Sequence, residues 1–136
     1  MIGIVVVAHS QKVAEGICDM VEIIAADEGG NENLSIVAAG GDKYGNFGTD
    51  PDKVLSAIDK ACKDQGVVII TDLGSGIISA QAALSMLNDD RRSRVKLADA
   101  PLVEGAVGAG VQASYPESTL DMVVAAAEAG RQLHKK

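Results

Sequence analysis

Residues 2 to 8, Ile2-Gly3-Ile4-Val5-Val6-Val7-Ala8, form an unbroken run without one polar side chain. A strand with one wet face alternates apolar and polar residues, so this run implies a strand covered on both faces. That places it centrally in a parallel sheet of an α/β fold. Aromatic residues are nearly absent, with no Trp, one Phe and two Tyr. The core must therefore be built from Val, Ile, Leu, Ala and Met, whose small members let helices approach a sheet closely.

The rest of the chain supplies the partners such a strand needs. Ser10 offers an N-cap for a helix over 11–27, with Val13, Ile17, Met20, Val21 and Ile24 at helical spacing. Gly29 or Gly30 suits its left-handed C-cap. A second strand is expected over 34–38, followed by the loop 39–49, which holds four glycines in eleven residues. Thr49 or Asp50 can cap a helix that begins at Pro51 and runs to about residue 63. A third apolar strand covers 66–72, and Leu73-Gly74-Ser75-Gly76 turns the chain into a helix over 77–88. A weaker strand over 95–98, a small-residue helix over 102–114 and a helix opening at Pro116-Glu117-Ser118 complete the pattern, with 131–136 a frayed tail. Alternation of strands and helices implies parallel neighbours joined by right-handed crossovers. One domain over 1–136 is expected, with no internal repeat.

The net charge of −7 argues against nucleic acid and against anionic membranes as partners. Cys18 and Cys62 fall in expected helices without metal-ligand or CxxC spacing, as buried thiols of a reducing compartment do. The N-terminal apolar stretch is too short for a signal peptide or a membrane span, so a cytoplasmic protein is expected.

Three strand ends carry distinctive residues: Ala8-His9-Ser10, Ala39-Gly40-Gly41 and Thr71-Asp72-Leu73-Gly74-Ser75. In a parallel sheet these ends share one edge, where open α/β sheets place their chemistry. A carboxylate beside a histidine fixes its tautomer and leaves the other ring nitrogen a better nucleophile. Glycine-rich turns at helix N-termini present N–H groups to an anion. His9 and Asp72 are thus the candidate reactive pair. Each element also has a plainer reading. A lone strand-end histidine is often structural, Asp72 suits an N-cap, and strand-to-helix turns need glycine in any case. No metal-ligand set, nucleotide P-loop, dinucleotide fingerprint or GxSxG elbow is present. Neither a metal nor another cofactor is expected.

The stretches Gly3–Ser10, Ala38-Ala39-Gly40-Gly41 with Gly48-Thr49, Val67–Ser75 and Val95–Ala106 together resemble the mannose-type enzyme IIA family of the bacterial phosphoenolpyruvate-dependent sugar phosphotransferase system. Within it they look most like the phosphotransferase subunit M of dihydroxyacetone kinase. The resemblance implies an open sheet of about four strands in the order 2-1-3-4, with helices on both faces. It implies a phosphocarrier, with His9 phosphorylated through Nε2 and Asp72 orienting the ring through Nδ1. Ser10, Gly40, Gly41, Thr49 and Ser75 would line an anion pocket. The implied donor is the small carrier protein HPr, and the implied acceptor is ADP held in the kinase's nucleotide-binding subunit. Family members are homodimers. Two alternatives stay open: a IIA component for sugar uptake, and a regulatory module that binds an anion or a partner without turnover. Tyr44, Asn46 and Phe47 would lie in the loop at the active edge, with Phe47 either docking partners or folded back into the core.

Overall fold

The computed structural model describes residues 1–28, 32–61 and 64–136. Its sheet has four parallel strands, β1 (Ile2–Ala8), β2 (Ser35–Gly40), β3 (Gly66–Thr71) and β4 (Val95–Leu97), in the order β2-β1-β3-β4. The apolar run is a central strand, as its lack of alternation requires. Its even-numbered residues Ile4, Val6 and Ala8 enter one core with helices α1 (Gln11–Glu28), α5 (Leu102–Ala113) and α6 (Leu120–Glu128). Its odd-numbered residues Val5 and Val7 enter a second core with α2 (Pro51–Ala61) and α3 (Gly74–Ser85).

Small residues set how closely these layers meet. A Cβ at Gly108 would lie 2.7 Å from the Ala126 carbonyl oxygen, so α5 and α6 touch backbone to backbone there. Cys18 is buried in the α1 core. Burial, followed by the carboxylates of Glu22, Asp19 and Glu15, pushes its thiol up to about 12. Cys62 and the expected cap at Gly29 or Gly30 lie outside the described residues.

The element boundaries differ from expectation in several places, among them the end of α3, at Ser85 rather than residue 88. Strand β2 runs on to Gly40, which pairs with Ala8. Helix α3 starts at Gly74, so the glycines read as a turn form its first turn. A short helix α4 (Asp89–Arg92) is added, capped by the Asn88 side chain on the Arg91 amide at 2.8 Å. The last helix opens at Leu120, because Thr119 caps it by accepting from the Met122 amide. Ser118 instead closes a turn onto Gln112. After a 3₁₀ turn over Ala129–Gln132, the ion pairs Arg131–Asp99 and Lys135–Glu104, both 2.7 Å, link the terminal residues to the start of α5 and the loop before it.

Candidate functional site

Because every strand pair is parallel, the strand C-termini share one edge. The ladder sets Val7 beside Thr71 and Ala8 beside Gly40, so the next residues converge there. His9 is only 8 % exposed. Its backbone N–H donates to Asp72 Oδ2 at 2.9 Å, and its Nδ1 lies 3.0 Å from both carboxylate oxygens. The Asp72 amide donates in turn to the Val7 carbonyl at 3.1 Å, which anchors the carboxylate to the sheet.

A carboxylate acceptor at Nδ1 selects the tautomer with its proton there, leaving a lone pair on Nε2. Nε2 faces the Ser75 hydroxyl, which donates to it in this tautomer. Burial raises the Asp72 carboxyl, but the amides of His9 and Leu73 and the His9 imidazole outweigh it. The net result holds Asp72 below its ordinary value.

Ser75 belongs to the first turn of α3, where the Gly76 amide already donates to the Leu73 carbonyl at 2.8 Å, so the Gly74 and Ser75 amides are the ones without a carbonyl one turn earlier. The Leu73 N-cap supplies no side-chain hydrogen bond to them. An anion carried on Nε2 would therefore sit at the positive end of α3, beside a hydroxyl. Across the loop, Thr49 Oγ1 lies 2.6 Å from Ser79 Oγ and donates to the Ser75 carbonyl at 3.3 Å. The structure thus brings His9, Asp72, Ser75 and Thr49 together.

The other expected pocket residues serve the backbone around them. Ser10 Oγ caps α1 by accepting from the Val13 amide at 3.3 Å. A Cβ at Gly40 would meet Gln11 Cα and the Ser10 carbonyl oxygen at 2.7 Å, so this glycine lets α1 start against the sheet. The Gly40 carbonyl accepts from Lys53 Nζ at 3.0 Å. Gly41 has φ +76° and donates its amide to the Ala8 carbonyl at 3.1 Å, so that N–H is taken by the fold.

Phe47, 77 % exposed, is not folded back into the core. Its ring lies 5.2 Å from the His9 ring, centroid to centroid, a contact the sequence analysis missed. Ser79 was missed as well, although it lies one helical turn after Ser75, a spacing that brings two side chains onto one helix face. A cleft of about 210 Å³ beside the loop is lined by Ser10, Gln11, Lys12, Gly45, Asn46 and Phe47. It brings in Lys12, a cation the motifs alone did not single out.

A family model described as EIIA-man, PTS system fructose IIA component, matches residues 3–124. The chain belongs to the EIIA-man family. Among EIIA-man relatives, "PEP-dependent dihydroxyacetone kinase 2, phosphoryl donor subunit DhaM" from Listeria innocua is 37 % identical over 112 residues. The match covers 82 % of this chain and 86 % of that protein. A DhaM phosphoryl donor subunit from Klebsiella michiganensis is 34 % identical over 114 residues, covering 84 % of this chain and 24 % of its own length. This EIIA-man chain therefore spans about a quarter of that longer relative. A solved structure described as a protein of unknown function superimposes with a TM-score of 0.81 at 35 % identity, covering 96 % of this chain and 93 % of that one. The phosphotransferase system component EIIA from Streptococcus agalactiae superimposes with a TM-score of 0.59 at 21 % identity, covering 96 % and 95 %, and shows the shared fold. No helix among the described residues is long and apolar enough to cross a membrane.

Proposed function

We propose that this chain is the phosphoryl donor subunit of a phosphoenolpyruvate-dependent dihydroxyacetone kinase, with His9 as its phosphoryl carrier. One observation carries the reading: Nδ1 of His9 is committed to Asp72 while Nε2 faces Ser75 in the first turn of α3, a helix start without a side-chain cap. The names of the Listeria and Klebsiella relatives supply the kinase context. The donor is the phosphohistidine of HPr, and the acceptor is ADP bound in the kinase's nucleotide-binding subunit. The chain works in the cytoplasm as a homodimer. A largely apolar hollow of about 440 Å³, with Met20, Val103, Val107 and Leu133 in its lining, supports that assembly.

The chemistry needs no added base, since a neutral imidazole is already a nucleophile. Nε2 forms a bond to phosphorus with its lone pair as the donor's P–N bond breaks. The donor imidazole leaves with that electron pair. The His9 ring keeps its Nδ1 proton and gains positive charge, which the Asp72 carboxylate faces. The Ser75 hydroxyl leaves Nε2 by rotating about χ1 and donates to a phosphoryl oxygen. The Gly74 and Ser75 amides at the start of α3 add favourable polarity for the transferred charge. Handing the group to ADP reverses these steps. Positioning and fixed dipoles supply the catalysis.

The test is incubation of the purified chain with phosphoenolpyruvate, enzyme I and HPr. One acid-labile phosphoryl group per chain is expected, absent in His9→Ala. Label that survives this substitution refutes the carrier role. The matching family description names a sugar IIA component, which favours an uptake role as the second reading. Transfer onward to a IIB domain, with none to ADP in the kinase subunits, selects it. Anion binding that depends on Gly40 and Gly41, with no labelling of His9, selects a regulatory module.

A further inference from the structure

Phe47 is a large apolar side chain left 77 % exposed, and the loop around it is tightly held. Asp42 Oδ1 accepts from the Tyr44 and Asn46 amides, each at 2.9 Å. The Asp42 amide donates to the Asn46 carbonyl at 2.9 Å, and the Gly45 amide to the Asp42 carbonyl at 3.1 Å. On the other side of Phe47, the Gly48 amide donates to the His9 carbonyl at 2.9 Å. Both neighbours of Phe47 are therefore pinned, one of them to His9 itself. With most of its surface in water, core packing does not account for this placement. Its ring lies 5.2 Å from the His9 ring, with the planes inclined by 36°.

That distance falls within the roughly 6 Å over which an aromatic face attracts a cation. On the carrier reading given above, the His9 ring is neutral before transfer and positive after it, because Nδ1 keeps its proton while Nε2 bonds phosphorus. A neutral imidazole gains little from the quadrupole of a phenyl ring, and a charged one gains more. The interaction is thus differential between the two states of the carrier.

We propose that Phe47 is a positioning residue that stabilises phosphorylated His9 through its ring face. It holds the phosphoryl equilibrium with the donor toward this chain, and it slows loss of the group to water. In that loss, water oxygen bonds phosphorus, the P–N electron pair returns to Nε2, and the water protons pass to phosphate and solvent. The ring loses its positive charge as the bond breaks, so an interaction that favours the charged ring raises this barrier.

The experiment compares the full chain with Phe47→Ala, Phe47→Leu and Phe47→Tyr. It reads the equilibrium constant for phosphoryl exchange with HPr and the half-life of the isolated phosphorylated chain near neutral pH. Alanine and leucine are expected to shift the equilibrium toward HPr and to shorten the half-life, each by roughly two- to fivefold. Tyrosine, which keeps the ring face, is expected to restore both. Circular dichroism checks that each variant is folded. An alanine variant with unchanged equilibrium and half-life overturns the proposal, and so does a leucine variant equal to the parent. Absence of label on His9 in the parent chain refutes the carrier reading and this proposal with it. A labelled parent with unresponsive variants refutes this proposal alone.

Discussion

The carboxylate of Asp72 holds His9 at two points: Oδ2 accepts from the His9 backbone amide at 2.9 Å, and both oxygens lie 3.0 Å from Nδ1. One residue thereby fixes where the ring starts and which nitrogen carries the proton. The two roles separate in Asp72→Asn. The carboxamide oxygen still accepts from the backbone, but its NH₂ group donates toward Nδ1 and drives the ring proton to Nε2. The nucleophilic lone pair is then lost. Phosphorylation by phospho-HPr should slow by about 10²- to 10⁴-fold while the fold persists. Rapid-quench labelling measures the rate. A loss of less than tenfold would mean that the ring finds its tautomer without Asp72.

The same pair makes stability depend on acidity. The Asp72 carboxyl is held below its ordinary value of 3.8, against the pull of burial, by the two amides and the imidazole. In the acid range the unfolded chain therefore binds more protons than the folded one, and stability rises with pH there. The contribution is complete above the ordinary carboxyl value and is lost as pH falls through the lower folded value. Urea titrations at about pH 5 and about pH 3 should show the stability gap between parent and Asp72→Asn closing on acidification. A gap that stays constant would leave the depressed carboxyl without a thermodynamic role.

How far the sequence foretold these features depends on where the information sits. β1 was legible because seven apolar residues in a row have one good structural solution. The His9–Asp72 pair followed from that strand and β3, since parallel neighbours put their C-terminal residues on one edge. The start of α3 was not legible. Gly74-Ser75-Gly76 carries turn chemistry, yet the Gly76 and Ile77 amides both donate to the Leu73 carbonyl, at 2.8 and 3.3 Å, and close a helical turn whose N-cap offers no side-chain bond. Pro116 and Ser118 looked like helix openers, but Ser118 bonds Gln112 and leaves capping to Thr119. The Phe47–His9 contact was hidden for another reason. It rests on Asp42 folding its own loop and on Gly48 reaching the His9 carbonyl, neither of which has a periodic signature.

Gly40 supports the site from behind. A Cβ there would lie 2.7 Å from Gln11 Cα and from the Ser10 carbonyl oxygen, both backbone atoms that cannot rotate away. Gly40→Ala must therefore push the start of α1 off β2, and His9 is separated from that start only by the Ser10 cap. A stability loss of about 1–3 kcal/mol is expected from the overpacking. A fall in the phosphorylation rate should accompany it under conditions where the variant is still folded. Denaturant melts and labelling on the same preparation check both. Unchanged stability would show that α1 has slack at its N-terminus.

On the proposed carrier role of His9, Ser75 stands between its resting and its phosphorylated state. Its hydroxyl donates to the Nε2 lone pair, so it must leave before that lone pair can attack. If its only effect were to occupy Nε2, Ser75→Ala would speed phosphorylation. The surroundings argue for the opposite sign. Ser75 lies in the first turn of α3, and Thr49 ties its carbonyl at 3.3 Å while bonding Ser79 at 2.6 Å, so the displaced hydroxyl stays near the position of the phosphoryl oxygens. A hydrogen bond to a charged acceptor outweighs one to a neutral ring nitrogen. Ser75→Ala should therefore slow transfer by roughly tenfold, whereas Ser75→Thr, which keeps the hydroxyl, should recover most of the rate. Faster labelling in Ser75→Ala would identify the hydroxyl as a guard on Nε2 rather than a ligand for the phosphoryl group.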